Sequence, residues 1–393
     1  MRLTMQERKA VTKALSLRYR TARKKFKRHI LDDFAAVTGY NRNYAARLLH
    51  GHGCRRRKRC SAPRRGRACF YDGGVYSPLR QLWELMDYIC GKRLKPALPE
   101  LINKLEEHGE LYLDDSVKAK LSRISAATID RLLKTEREKF QLKGRSGTKP
   151  GTLLKYQIPI RTFAQWDENR PGFMEIDLVG HEGGNPRGDF IQTLDMTDVH
   201  SGWTETQGVK NKAQVHVFAS LKIIEKRLPF KLLGIDSDNG SEFINAQLVR
   251  YCEENKLTFT RGRTSHKNDN CYVEQKNYSV VRRAVGYARY ESDYELATMN
   301  ELYRHLRLYT NYFQPTMKLA EKRRDGAQVY KRYETAQTPY ARLTNSGKLE
   351  LWRTEKLRAE YGKLNPAQLK RDITRLQNRL LGLSARRKRS NYE

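Results

Sequence analysis

The sequence predicts a multidomain protein: an α-helical N-terminal region with a helix-turn-helix pattern, a central α/β mixed sheet, and a small, mainly helical C-terminal region. Three observations carry this. A length of 393 residues is more than one hydrophobic core usually fills. Apolar residues recur at helical spacing until about residue 140 and then switch to alternation at 173–179. Charge, finally, is partitioned along the chain. Residues 1–70 hold 21 basic and 3 acidic side chains, residues 71–170 hold 18 and 14, residues 171–280 hold 13 and 15, and residues 281–393 hold 25 and 12. The net charge of +33 would strain a compact state unless a polyanion neutralised it, which makes nucleic acid the expected partner. A slightly acidic middle between basic flanks suits an enzyme acting on that partner, because metal-assisted phosphoryl chemistry needs carboxylates where phosphate repulsion is worst. With 38% apolar residues a wholly disordered basic tail is excluded. No apolar run approaches the roughly twenty residues of a membrane span, and the opening MRLTMQERKA runs into charges, so a cytoplasmic or nucleoid-associated protein without a membrane partner is expected. The six cysteines are irregularly spaced and read as reduced thiols.

Taken in order, residues 1–53 read as a helix-turn-helix module. Ile30, Leu31, Phe34 and Val37 form one apolar face that stops at Thr38-Gly39-Tyr40, and Asn41 caps a second short helix carrying Tyr44, Ala45, Leu48 and Leu49. Asn41, Arg42, Asn43 and Arg47 fall on the recognition element of such a module, an ordinary helical hairpin being the alternative. Residues 54–75 are a Gly- and Arg-rich arm whose Arg55, Arg56 and Arg57 suit phosphate contacts. His50, His52, Cys54 and Cys60 fit no familiar zinc-finger spacing. Residues 76–142 form a second helical domain. Ser77-Pro78 is a cap and first turn for a helix with Leu82, Leu85, Met86 and Ile89 that ends at Gly91, and another helix lies near 99–108. Val117, Leu121 and Ile124, a Ser125 cap, then Ile129, Leu132 and Leu133 repeat the helix-turn-helix shape, with Ala127, Thr128 and Arg131 as DNA contacts. Residues 143–165 read as a linker.

The core spans 166–300. FMEIDLV alternates, placing Met174, Ile176 and Leu178 on one face and Glu175, Asp177 and Val179 on the other. Strands follow at about 189–196 and 203–209, a helix at 212–227, a strand over Leu232 to Ile235, a helix at 242–255, a strand at 257–261 and a helix at 272–289. This order makes a mixed sheet with helices on both sides. Asp177 points off the first strand, Asp238 stands just past the fourth in IDSDNGSEF, and Glu274 lies in the first turn of the last helix. Carboxylates so placed can hold two divalent ions a few ångströms apart, and hard oxygen ligands without nearby histidine or thiol favour Mg2+, with Mn2+ as substitute. Any one of these acids alone would more often be structural.

The words SDNGSEF, KNDNCYVEQKN and LRLYTNYFQP resemble the DDE transposases and retroviral-type integrases, above all bacterial insertion-sequence transposases. In that family the second acid precedes Asn-Gly and the third follows thirty-five residues later. Here Asp238 precedes Asn239-Gly240, and thirty-five residues separate it from Glu274. The resemblance covers about 170–315 and implies a ribonuclease-H-like catalytic core with Asp177, Asp238 and Glu274 as catalytic metal ligands. Asp236 is the rival for the second position; the Asn-Gly match and the spacing select Asp238. Glu175, Asp195 and Asp198 read as supporting acids. His266 and Lys276 match positions near the DNA ends in the family, and Lys267, Arg282 and Arg283 join them as DNA-binding residues, with Lys276 and Arg283 on one helical face. The zinc-binding N-terminal domain of retroviral integrases has no counterpart here.

What the resemblance implies is a transposase: hydrolysis at the element's end frees a 3′ hydroxyl, which then attacks target DNA, so double-stranded DNA ends and target are the partners. Two other readings share the pattern, a DNA-binding regulator without catalysis and a ribonuclease-H-like nuclease that cuts without joining. A tyrosine recombinase is disfavoured by the strand-rich acidic core. Residues 301–393 read as a DNA-binding and oligomerisation region. Leu369, Ile373, Leu376, Leu380 and Leu383 form a heptad seam that either pairs protomers into a homo-oligomer or packs within the chain.

Overall fold

The computed structural model describes residues 3–51, 70–139, 169–237, 243, 246–261, 271–325 and 328–390. The chain divides into two compact units, residues 1–70 and 71–393.

The first unit has three helices. α1 (Met5–Thr21) starts in a capping box of Thr4 and Glu7. α2 (Lys24–Thr38) stops where Gly39 turns left-handed at φ 71°, and α3 (Arg42–Gly51) follows. Asn41 accepts the Asn43 N–H at 3.0 Å, as a capping side chain does. Leu31, Phe34, Ala45 and Leu49 form the core, flanked by Val11, Leu15 and Tyr19 of α1. Val37 and Tyr44, expected on the apolar faces, are exposed instead, because α1 packs against both other helices and leaves them on the outer side.

In the second unit α4 (Gly73–Leu85) begins at Asp72, whose carboxylate accepts the Val75 N–H at 3.3 Å. The expected start at Ser77-Pro78 is therefore too late. Pro78 lies inside the helix, which has already been nucleated by its acidic cap. Asp87 and Tyr88 turn at φ 55° and 59°, held by the Trp83 indole N–H donating to the Ile89 carbonyl at 2.8 Å. Gly91, expected to end a helix, opens α5 (Gly91–Glu107), which runs through Pro96 and Pro99 and so starts well before residue 99. α6 (Asp115–Arg123), α7 (Ala126–Leu132) and α8 (Lys134–Lys139) complete this region, with Ser125 accepting the Thr128 N–H at 3.1 Å.

The sheet comprises β1 (Phe173–Gly180), β2 (Gln192–Asp198), β3 (Thr204–Val209), β4 (Gly234–Ser237) and β5 (Thr258–Arg261), in the order β3-β2-β1-β4-β5. β1 to β3 are an antiparallel meander, whereas β4 and β5 run parallel to β1. This is the ribonuclease-H-like mixed sheet. Ile176, Met196 and Ile235 occupy one face and share a core with Val217, Leu221 and Ile224 of α9 (Gln214–Glu225) and Leu248 of α10 (Ala246–Glu254). The register places Glu175, Asp177, Asp195 and Asp236 together on the other face.

That polar face is crossed by α11 (Cys271–Lys276), which continues as a π-helical stretch over Asn277–Arg282 into α12 (Arg283–Val285) and ends at Gly286, φ 68°. A single helix reaching 289 was expected. The wider π turn lets the adjacent Val280 and Val281 both turn inward, which a 3.6-residue helix does poorly. α13 (Asp293–Leu308) opens in a Ser292/Glu295 capping box and passes into a second π turn at Tyr309–Phe313. A separate hairpin follows, β6 (Leu319–Asp325) and β7 (Gln328–Tyr333), then α14 (Pro339–Asn345), α15 (Leu351–Lys363) and α16 (Pro366–Ser390). The heptad seam resolves in favour of packing within the chain: Leu369, Ile373, Leu376 and Leu380 are buried in the same core as Met299, Leu302 and Leu306 of α13. Polar bonds tie the helical region to the sheet domain. Arg93 donates to the Pro315 carbonyl at 2.6 Å, the Tyr309 hydroxyl to the Leu85 carbonyl at 2.6 Å, and Lys104 to the Gly362 carbonyl at 2.8 Å.

Candidate active site

The strand alternation that buries Ile176 on one side turns Glu175 and Asp177 to the other, where they meet α11. The buried Glu175 carboxylate accepts the backbone N–H groups of Tyr272 at 2.9 Å and Val273 at 3.0 Å, satisfying two orphan donors of the helix start. One turn further on, the Asn277 side-chain amide donates to Asp177 Oδ2 at 2.5 Å. The helix is thus fastened to β1 on both sides of Glu274, whose side chain is exposed between these two anchors. β4 lies beside β1 with Ser237 opposite Ile176, so the chain leaves β4 at the level of Asp177. Asp238 lies outside the described residues, as do Asn239, Gly240, His266, Lys267, Arg55, Arg56 and Arg57.

The neighbouring acids have separate roles. Asp236, opposite Glu175 in the ladder, is buried and accepts the Thr260 hydroxyl at 2.5 Å. Asp198 folds the β2–β3 turn, accepting from Gly172 N–H at 2.9 Å and from the N–H and hydroxyl of Ser201 at 2.7 and 2.5 Å. Asp195 stands directly opposite Asp177, fully buried, and neither of its carboxylate oxygens has a hydrogen-bond partner among the described residues. Burial drives its carboxyl well above the usual range, and the charge of Asp177 pushes the same way, while the Lys276 ammonium opposes both.

Lys276 differs from its expected place. It is 6% exposed and turned into the protein, where burial lowers its pKa to about 8 while Asp195 draws it back up. It therefore balances the acidic sheet face from beneath and offers no open surface to DNA. Arg282 donates to the Gly180 carbonyl at 2.9 Å and lies over the Tyr287 ring, and Arg283 donates to the Asp87 carbonyl at 2.8 Å. On the helical modules, Arg42 pairs with Asp32, Arg47 lies over the Tyr44 ring, and Arg131 donates to the Thr128 hydroxyl at 3.0 Å. Asn277 is a site residue that sequence reasoning passed over. Its signal was present, an amide three residues after Glu274 and hence on the same helical side.

Among the described residues no three His, Cys, Asp or Glu side chains group as metal ligands, one of the three expected acids being outside them. The donors that are brought together are hard oxygens, and Asp195 adds a buried acid whose hydrogen-bonding capacity the described residues leave unmet. This donor chemistry fits a hard divalent cation.

Comparison with known proteins decides the family. The integrase core domain model matches residues 167–267. A protein of Sinorhizobium fredii (strain NBRC 101917 / NGR234), called uncharacterized protein y4rM, is 41% identical over 343 residues, covering 87% of this chain and 96% of that protein. The chain belongs to the DDE-type integrase and transposase family. Among solved structures, the catalytic core of BIV integrase is 17% identical, covering 48% of this chain and 98% of that one, with a TM-score of 0.30. The dimeric catalytic core of HTLV-2 integrase in complex with magnesium is 14% identical, covering 37% and 91%, with a TM-score of 0.29. As an integrase-family protein the chain falls among the polynucleotidyl transferases of DNA integration and transposition. No described helix is long and apolar enough to cross a membrane.

Proposed function

We propose that this chain is the transposase of a bacterial insertion sequence, with Asp177, Asp238 and Glu274 as its catalytic and metal-holding acids. The observation that carries the reading is the double fastening of α11 to β1, through Glu175 at its start and Asn277 on Asp177, which holds Glu274 over the strand that bears Asp177. The exit of β4 at the same level supports Asp238 as the third member, and the enclosure of Asp236 against Thr260 argues against that rival. Two magnesium ions bound there would supply the Lewis acidity that activates water or a 3′ hydroxyl and stabilises the departing oxygen. The protein's own contribution is placement. The Asn277 amide and the Leu178 N–H, donating to Asp177 Oδ2 at 2.5 Å and Oδ1 at 2.8 Å, fix the orientation of that carboxylate, and Lys276 offsets the repulsion among the acids without entering the pocket. No covalent protein intermediate is required, so no nucleophilic side chain is demanded.

Double-stranded DNA, as transposon ends and target, is the partner, with Asn41, Arg42, Arg47, Arg55, Arg56, Arg57, Thr128, Arg131, His266, Lys267, Arg282 and Arg283 as the contact residues and a homo-oligomer as the working form. A labelled duplex carrying the inverted repeat read from the flanking genomic DNA, incubated with supercoiled plasmid and Mg2+, tests the proposal. Joined product supports transposition; cleavage without joining would leave a nuclease, and binding without either a regulator.

A further inference from the structure

The hairpin β6–β7 packs no face of its own. Every residue of β7 from Gln328 to Tyr333 is exposed, with Val329, Tyr330 and Tyr333 showing about half of their surface, and Leu319 on β6 does the same. An isolated two-stranded ribbon is marginal in water, and open edges carrying apolar side chains are normally covered or blunted. This ribbon's sequence adds a further cost. Residues 319–333 contain five basic and two acidic residues. The register sets Arg323 opposite Tyr330. Arg332 meets Glu321 across the strands at 3.3 Å. A polyanion would neutralise this excess of basic charge; a second neutral surface would not.

The root of the ribbon is firm and sits beside the candidate active site. Thr316 and Gln337 exchange backbone hydrogen bonds at 2.8 and 3.1 Å, and the Arg342 guanidinium, buried, holds the carbonyl and hydroxyl of Thr316 at 2.6 Å each. Lys318 donates to the His200 carbonyl at 2.5 Å and lies over the ring of Tyr272, the residue whose N–H is held by Glu175 two positions before Glu274. The strands therefore spring from the start of α11. Seven residues at about 3.3 Å each give an arm roughly 20 Å long, and a two-stranded ribbon is of a width that the major groove of B-DNA, about 12 Å across, admits.

The geometry points to β6–β7 as a DNA arm: a basic ribbon that lies in the groove of the duplex presented to the acidic pocket, with Tyr330 and Arg323 on the face turned to the groove and Lys331, on the other face, reaching a phosphate at its edge. It rests on the function proposed above and adds to it a specific surface.

The experiment uses the full chain and a fluorescein-labelled, mixed-sequence duplex, with binding followed by anisotropy over a salt series. Arg323→Glu/Lys331→Glu and the milder Arg323→Gln/Lys331→Gln are compared with wild type and with Lys356→Glu/Arg358→Glu, a control on the exposed side of α15. Losing two phosphate contacts should weaken binding about tenfold or more and make the log–log salt dependence shallower by about 2, since each contact contributes about 0.9. The control should keep the wild-type slope, and p-benzoylphenylalanine at position 330 should crosslink to the duplex. Wild type failing to bind duplex would overturn the proposed function and this arm together. Wild-type binding with unchanged affinity and slope in both ribbon variants, or an equal loss in the control, would overturn the arm alone. So would a ribbon variant that lowers the sedimentation mass while keeping its DNA affinity, because the ribbon would then pair with a second copy.

Discussion

Glu175 and Asp177 are two residues apart on one strand and face the same way, yet they serve different ends. Glu175 is buried and accepts two backbone N–H groups of the helix start; Asp177 is half-buried and accepts the Asn277 side-chain amide and the Leu178 N–H. Asp177→Asn, Asp238→Asn and Glu274→Gln should each lower strand transfer by about 10³-fold or more, equivalent to about 4 kcal/mol of barrier, with duplex affinity little changed. A Glu274→Gln protein that still joins strands would remove that residue from the site. Glu175→Ala should act differently, raising the Mg2+ concentration needed for half-maximal activity by releasing the helix that carries Glu274; an unchanged metal requirement would refute its positioning role. His181 offers a pH test. It is fully buried against Thr193 and Tyr290, and burial lowers its pKa to about 3, with Arg282 pushing the same way. Between about pH 6.5 and pH 3 the unfolded chain binds the proton and the folded chain does not, so stability is present above that window and falls as pH drops through it. The slope should approach roughly 1.4 kcal/mol per pH unit from this group, and urea midpoints should show it reduced in His181→Gln. A parallel pH profile in the two proteins would exclude His181 as the source.

At the scale of elements, close packing sets the sharpest limits. Gly91 opens α5 against α7, and a Cβ there would lie 2.2 Å from the Ala126 carbonyl oxygen. Gly91→Ala should therefore destabilise by about 1–3 kcal/mol, read as a lower denaturation midpoint, although alanine is the better helix former. A stabilised variant would mean the two helices separate readily. The sequence revealed the strands well because one face of β1 and β2 is apolar and the other acidic, which leaves a clear alternation in Met174, Ile176 and Asp177. It revealed helix starts poorly where a proline was present. Pro78, Pro96 and Pro99 look like boundaries, but Asp72 caps upstream, and neighbouring helices hold the interrupted turns. Lys276 was illegible for another reason: a lysine is normally solvated, and only the tertiary placement of Asp195 shows why this one is buried. The π turns escaped notice because a widened turn leaves no distinct residue pattern; Val280-Val281 reads equally well as helix or strand.

For the whole molecule, the C-terminal helix is part of the core of the unit formed by residues 71–393 rather than an appendage. Leu376→Ala should cost about 2–5 kcal/mol of that unit's stability, measured by cooperative unfolding, and a cost below 1 kcal/mol would show that α16 can leave the core intact. The charge of +33 makes duplex binding steeply salt-dependent, and an affinity indifferent to salt would contradict the charge argument.

The bonds from Arg93 to Pro315 and from Tyr309 to Leu85 bear on how such a machine measures DNA. They lock the helices of residues 71–139 to the sheet that carries Asp177, as two jaws of a caliper share one frame. A duplex gripped by those helices would meet the pocket at a fixed count of base pairs and a fixed rotational phase. Spacers of half a turn inserted between the gripped sequence and the cut should then abolish cleavage, and spacers of a full turn should displace it.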